Sequence, residues 1–218
     1  MGQSIERAID STEDLELAGI WKRGESLERI VKNADVLVDF SLPEANAEVI
    51  AAVRQFAKPL VCGVSGLDAD QLDALRELSG QIAIVYDRNM SQGIAVLRDI
   101  VQRAAASLGP EFGVEIHETH HVHKLDSPSG TALQLADAVA AGQGVDPSGA
   151  AIEFKVERRG EVPGDHSVAW SSATEALTLS HSVTTRDVFS AGALLAARWV
   201  HGRGAGWYSM HDVLFSGK

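Results

Sequence analysis

Three apolar runs, "DVLVDF", "PLVCGVS" and "IAIVYD", set the limits on what this chain can fold into. Each is short, rich in β-branched residues and apolar almost throughout, as a strand covered on both faces must be. Between them lie segments with helical spacing of apolar residues. Ser41 and Pro43 mark the start of "PEANAEVIAAVRQFA", and Asp68 can cap "ADQLDALRELSG". Ile94, Leu97, Val101, Ala104 and Leu108 carry the helical period onward after the third run. Ahead of the first run, Ile5, Ala8 and Ile9 mark a helix, "LELAGIW" reads as a strand, and Leu27, Ile30 and Val31 mark a further helix. Strands alternating with helices imply crossover connections, and these build a parallel sheet with helices on both faces. An α/β domain of this kind normally opens on a strand near the middle of its sheet. This chain opens on a helix.

The rhythm changes in the second half. "FGVEIHE" is strand-like and "SGTALQLADAVAAG" helical, but "IEFKVERRG", "HSVAWSS" and "EALTLSHSV" follow as strands with no helix between them, before the long helix "VFSAGALLAARWV". This predicts a second, α+β domain with a mixed or antiparallel sheet. The switch falls near Asn89–Gln92. The expected division is 1–91 with 201–218 for the first domain and 92–200 for the second.

Charge narrows the partners. The net charge of −11 and pI of about 5.1 disfavour nucleic acid and anionic membrane surfaces. An anionic ligand therefore needs a local basic cluster. Cys62 is the only cysteine, which excludes an intramolecular disulfide and fits a reducing compartment. No apolar run approaches the roughly 20 residues of a membrane span, and "MGQSIERAID" lacks the pattern of a secretion signal. The expected location is the cytoplasm.

The densest chemistry lies in "VEIHETHHVHKLDSPSGTALQLA", which holds four of the chain's 8 histidines. It includes a literal H-E-x-x-H, His117 to His121. A zinc site of that pattern needs a helix, yet Val114 and Ile116 alternate with Glu115 and His117 as in a strand. In a strand, His117 and His121 stand about 13 Å apart, too far for one ion. No metal is expected. A solvated polar loop is the plain alternative. Against it, His120, His121, His123 and Lys124 concentrate protonatable groups directly ahead of a helix start, "SPSGTA", that Ser127 or Ser129 can cap. The free N–H groups of Gly130 and Thr131 favour an anion there. A carboxylate so held lies beside imidazoles able to move protons near neutral pH.

This stretch closely resembles the 4-hydroxy-tetrahydrodipicolinate reductase (dihydrodipicolinate reductase) family of the diaminopimelate route to lysine. The family motif, roughly E-x-H-H-x-x-K-x-D-A-P-S-G-T-A, stands here as Glu118, His120, His121, Lys124, Asp126, Ser127, Pro128, Ser129, Gly130, Thr131 and Ala132, with Ser127 in place of alanine. The likeness continues in "VDFSLPEA", "VCGVSGL", "YDRNMSQGIAVL", "TTRDVFSAGALLAARWV" and "GWYSMHDVL". It implies a Rossmann-like domain for NADPH or NADH and a second domain that binds a small dicarboxylate and builds a homotetramer. In the implied reaction a hydride goes to C4 of the ring as the hydroxyl leaves as water. His120 would protonate the reduced ring, with Lys124 as its catalytic partner. His121, Ser129, Gly130, Thr131 and Arg186 would hold substrate. Gly63, Val64 and Ser65, with Asp87, Arg88, Asn89 and Met90, would line the cofactor.

The chain departs from the family in three places. The family opens with a strand and G-x-x-G-R-M-G, of which "MG" alone stands here, so the first strand is apparently missing. The favoured reading is a start placed too late. "VERRGEVPGDHSV" runs straight through where the family usually has a further strand and turn, and Val64 replaces a usual threonine. NADPH is the preferred cofactor, since Lys22 and Arg23 stand where NADH-selective domains place an acidic residue. The alternative to an active reductase is an impaired or inactive paralogue, a binding protein that keeps the dicarboxylate pocket but has lost the phosphate loop.

Overall fold

The computed structural model describes residues 1–109 and 111–216. In chain order the helices are α1 (Gly2–Asp10), α2 (Leu27–Asn33), α3 (Asn46–Phe56), α4 (Ala69–Ser79), α5 (Gln92–Ser107), α6 (Gly130–Gln143), α7 (Asp187–Val200) and α8 (Met210–Phe215). The strands are β1 (Leu37–Asp39), β2 (Leu60–Cys62), β3 (Ala83–Tyr86), β4 (Gly113–His120), β5 (Ile152–Arg158), β6 (Asp165–Ser171), β7 (Ala176–Ser182) and β8 (Gly206–Tyr208). The chain divides into Met1–Gln92 with Asp187–Lys218, and Gly93–Arg186. From the sequence alone, α7 is expected in the second domain. It belongs with the first because it packs on α1 and on the strands of that sheet.

In the first unit the three apolar runs form the predicted parallel sheet, in the order β1-β2-β3-β8. Leu60, Val61 and Cys62 are wholly buried, which explains a run with no polar alternation. Val31, Val49, Val53, Leu75 and Leu78 supply the facing helix surfaces. Helix α4 starts where the sequence places it. The Asp68 carboxylate accepts the Gln71 N–H at 2.8 Å, and the Gln71 side chain accepts the Asp68 N–H at 3.1 Å. Pro43 opens a 3₁₀ turn, Pro43–Ala45, and α3 proper begins after it. In α7, a side chain at Gly192 would run into the Met90 carbonyl, so glycine there permits close packing.

One expected strand is absent. "LELAGIW" carries no ladder. A strand is defined by a partner, and among the described residues none pairs with this segment or with the outer edge of β1.

The second unit is the predicted α+β layer. Its sheet is mixed, in the order β5-β4-β6-β7, with β4 parallel to β5 and antiparallel to β6. Helices α5 and α6 cover one face through Ile94, Leu97, Val101, Leu135 and Val139, which meet Val114, Ile116, Val168 and Trp170 from the sheet. The connection through 159–164 leads directly from β5 to β6, and the two strands flank β4 on opposite sides.

Candidate active site

Strand parity builds the site. Val114 and Ile116 of β4 point into the core of the second unit, and the same period of two carries Glu118 and His120 onto that face. Register then adds two neighbours. His166 of β6 lies opposite Glu118, and Arg158 of β5 lies opposite His120.

The result is a buried polar cluster at the end of an apolar layer. Glu118 is 1% exposed, His120 6% and His166 5%. Such groups are costly unless partnered. One oxygen of Glu118, Oε1, accepts the Ser129 N–H at 3.0 Å and faces the Arg158 guanidinium at 3.4 and 3.5 Å. The other, Oε2, faces His120 Nδ1 at 3.4 Å and His166 Nε2 at 3.7 Å. The two imidazoles meet edge to face, 4.9 Å between centres. Burial lowers the His120 pKa. Glu118 and Asp126 oppose that shift, whereas Lys124 and Arg158 add to it. Burial pushes His166 down to about 3, helped by its neighbours His120, His181 and Lys124. His166 therefore stays neutral, and a proton on His120 meets no second imidazolium.

Helix α6 closes the site. Of the two candidate caps, Ser129 is the one used: its hydroxyl accepts the Ala132 N–H at 3.1 Å. Ser129 is 1% exposed, with its N–H on Glu118 and its oxygen on the cap, so it shapes the helix start. Gly130 and Thr131 remain partly accessible. Burial would raise the Asp126 carboxyl, but the Lys124 ammonium and the N–H groups of Asp126 and Gly130 outweigh this and hold it below the usual range. Lys124 pairs with Asp126 at 2.8 Å. The predicted anion position at Gly130 thus already attracts a carboxylate, that of Asp126. His121 is half-buried, its ring 6.2 Å from that of His123. Arg186 is exposed in the segment after β7, and among the described residues it makes no hydrogen bond or ion pair with the cluster.

Arg158 and His166 were not singled out from the sequence. Arg158 organises the loop between β4 and α6, giving Nε to the Lys124 carbonyl at 3.3 Å and Nη2 to the Asp126 carbonyl at 2.6 Å. Their signal was parity. Both occupy strand positions where alternation calls for an apolar residue. Gly164 adds a further constraint. Its φ is +152°, and a side chain there would come within 3.1 Å of His120 Nε2.

Glu118, His120 and His166 bring possible ligand atoms within 4.8 Å of one another. Arg158 on the same carboxylate opposes a cation at that point.

In the first unit Gly63, Val64 and Ser65 follow β2 and Asp87, Arg88, Asn89 and Met90 follow β3, at the carboxyl ends of parallel strands, where dinucleotides bind in open α/β sheets, whereas Lys22 and Arg23 follow no strand. They differ in what they present. Ser65 and Arg88 are exposed, whereas the side chains of Val64, Asp87 and Met90 are buried, so these three can offer only backbone. Gly63 is needed for packing, because a side chain there would strike the Phe40 ring. Two observations fit a bound dinucleotide. Asp39 Oδ2, at the end of β1, is buried without a hydrogen-bond partner among the described residues. Lys22 and Arg23 are exposed and make no ion pair with any other described residue. Cys62 beside Asp39 is inert, its thiol pushed up to about 12 by burial and by the Asp39 charge.

Comparison with known proteins finds matches along both halves of the chain. Residues 1–90 match the family described as dihydrodipicolinate reductase, N-terminus, and residues 93–214 match dihydrodipicolinate reductase, C-terminus. The 4-hydroxy-tetrahydrodipicolinate reductase of Xanthomonas euvesicatoria pv. vesicatoria is 44% identical over 180 residues, covering 83% of this chain and 73% of that protein. The enzyme of that name from Alkalilimnicola ehrlichii is 40% identical over 218 residues, covering 91% and 82%. Among solved structures, the dipicolinate-bound dihydrodipicolinate reductase from Paenisporosarcina sp. TG-14 superposes with a TM-score of 0.78 over 98% of this chain and 94% of that one. At 21% identity that likeness speaks for the fold.

Proposed function

The chain belongs to the dihydrodipicolinate reductase family along both of its halves, and we propose that it reduces 4-hydroxy-tetrahydrodipicolinate with His120 as proton donor and Lys124 as its partner. It is an oxidoreductase of the diaminopimelate route to lysine that uses a nicotinamide dinucleotide. What supports the assignment of roles is the pairing of His120 with a buried carboxylate beside the helix start of α6.

A nicotinamide, when bound, supplies the reducing equivalents. The rest falls to side chains. Gly130, Thr131 and His121 hold a substrate carboxylate at the helix start, and Arg186 answers a second. Lys124 leaves Asp126 for the substrate and polarises it. His120 gives its proton to the reduced ring, the electron pair of the ring forming the new C–H bond while the imidazolium becomes imidazole. Ser65, Arg88 and the backbone around Gly63, Val64, Asp87, Asn89 and Met90 border the nicotinamide half, and Lys22 and Arg23 the phosphate end. A homotetramer in the cytoplasm completes this reading. No helix of the described residues is long and apolar enough to cross a membrane. The alternative of a non-catalytic binding protein gains nothing from a site that retains the imidazole, the carboxylate and the lysine.

The test is the oxidation of NADPH and NADH by the purified chain with freshly generated substrate. Tight dicarboxylate binding with neither cofactor oxidised overturns the reading. Thr131→Val keeps the shape and deletes the hydroxyl. A lost hydrogen bond to a charged group costs roughly 1.5–3 kcal/mol, so dipicolinate affinity falls at least about tenfold while cofactor affinity holds. Calorimetric titration of both ligands checks this. NADPH is preferred to NADH, by a modest margin because both cations are exposed. Arg23→Ala weakens NADPH and spares NADH, and Lys22→Glu moves the balance towards NADH. Equal specificity constants in the parent, unmoved by either change, would remove these residues from phosphate recognition.

A further inference from the structure

We propose that Glu118 is a positioning residue for the reaction: its carboxylate fixes the orientation and tautomer of His120, and ties that imidazole to the helix start that holds the substrate carboxylate. The inference rests on the reductase reading for its catalytic consequence, but its geometric content stands apart from it.

The geometry is specific. Glu118 Oε1 is committed to the Ser129 N–H and to Arg158. Oε2 and His120 Nδ1 are both buried, both without a hydrogen-bond partner among the described residues, and face each other at 3.4 Å. A carboxylate facing one ring nitrogen selects the tautomer with its proton there. The other nitrogen, Nε2, is then the one that exchanges a proton with substrate. Gly164 preserves that side of the ring, since any side chain would crowd Nε2. When the Nε2–H bond breaks and the new C–H bond forms, the imidazole keeps Nδ1–H beside the Glu118 carboxylate. The carboxylate thus stabilises the charged donor and leaves a single nitrogen free to act.

His120 is faced by Glu118 of its own strand, Arg158 of β5, His166 of β6, and Lys124 and Asp126 of the following loop. Of the two acids among them, only Glu118 is buried against the ring. Arg158 and Ser129 hold its far oxygen, so the carboxylate cannot turn away without losing both contacts.

Glu118→Gln separates this role from scaffolding. The amide oxygen retains the bonds to Ser129 and Arg158, whereas the NH₂ now faces Nδ1 and favours the opposite tautomer. Replacing the orienting carboxylate of a catalytic histidine by an amide lowers turnover by up to about 10⁴-fold in serine proteases. Here kcat falls on the order of 100-fold. The KM for substrate changes by less than about threefold, and the midpoint of kcat/KM against pH moves to lower pH. An unchanged kcat, or a fall in which KM and Tm worsen together and the midpoint stays put, overturns the proposal.

A second measurement needs no variant and no turnover. The ¹⁵N shifts of histidine-labelled wild-type chain report the neutral tautomer of His120. Nδ1–H is expected, and Nε2–H overturns the proposal even if the enzyme is active. Conversely, Nδ1–H in a chain that oxidises neither NADPH nor NADH leaves the positioning intact and refutes the reductase reading.

Discussion

Replacing His120 by glutamine is expected to lower turnover by 10² to 10⁴-fold, the usual cost of a lost general acid. Glutamine is close to the imidazole in length and keeps a polar group beside Glu118, so the buried carboxylate is not stranded. Cofactor affinity should hold, because the expected dinucleotide residues lie in the other compact unit. Lys124→Ala should produce a similar loss of turnover, together with a weaker grip on the dicarboxylate. The pH dependence adds a second check. Activity that needs a protonated imidazole falls as pH rises through its pKa. Burial, only partly offset by Glu118, lowers that pKa in the free chain, so kcat/KM should decline with a midpoint below the ordinary 6.5. Stopped-flow oxidation of NADPH across that range measures both effects. Near-wild-type turnover in both variants removes His120 and Lys124 from the chemistry.

How much of this was legible beforehand depends on how local each signal is. The parallel sheet was readable because Leu60, Val61 and Cys62 must all be buried, and no surface strand tolerates such a run. The start of α4 was readable because its cap, Asp68, lies within one turn of its partner Gln71. The start of α6 was readable to within two residues, and the structure chose Ser129 over Ser127 through a contact made by a distant residue, Glu118. "LELAGIW" failed for the converse reason: its composition suits a strand, but pairing is not a local property. The site divides in the same way. His120, Lys124 and Gly130 belong to one stretch. Arg158 and His166 reach it only through the registers of β5 and β6, which no spacing along the chain encodes. A polar residue at an apolar parity position is a usable sign, and in each case it marked a group committed to Glu118.

His166 also makes the fold itself sensitive to acid, by an amount that can be stated in advance. Burial, with His120, His181 and Lys124 nearby, holds its pKa at about 3 in the folded chain, against an ordinary value of 6.5. Between those values the unfolded chain carries a proton that the folded chain refuses. The stability contributed by a neutral His166 is therefore complete above about pH 6.5 and is lost progressively as pH falls towards 3. One pKa unit corresponds to about 1.4 kcal/mol, so the whole window sets a ceiling of roughly 5 kcal/mol, which water entering around a charged imidazole reduces. His120 and His181, also lowered by burial, act in the same sense. Asp126, held down by Lys124, loses its contribution over a lower range still. Urea unfolding of the wild type should thus lose about 2–3 kcal/mol between about pH 7.5 and about pH 4.5 through His166 alone. His166→Gln removes the titrating group and keeps hydrogen-bonding capacity towards Ser129, 3.3 Å away. The variant starts less stable at neutral pH because the packing against His120 changes, yet its profile should be flatter by that amount, so that the two curves converge as the solution is acidified. Parallel curves would mean that His166 takes up its proton in the folded chain as readily as in the unfolded one, and that the cluster around Glu118 opens to water well before the fold does.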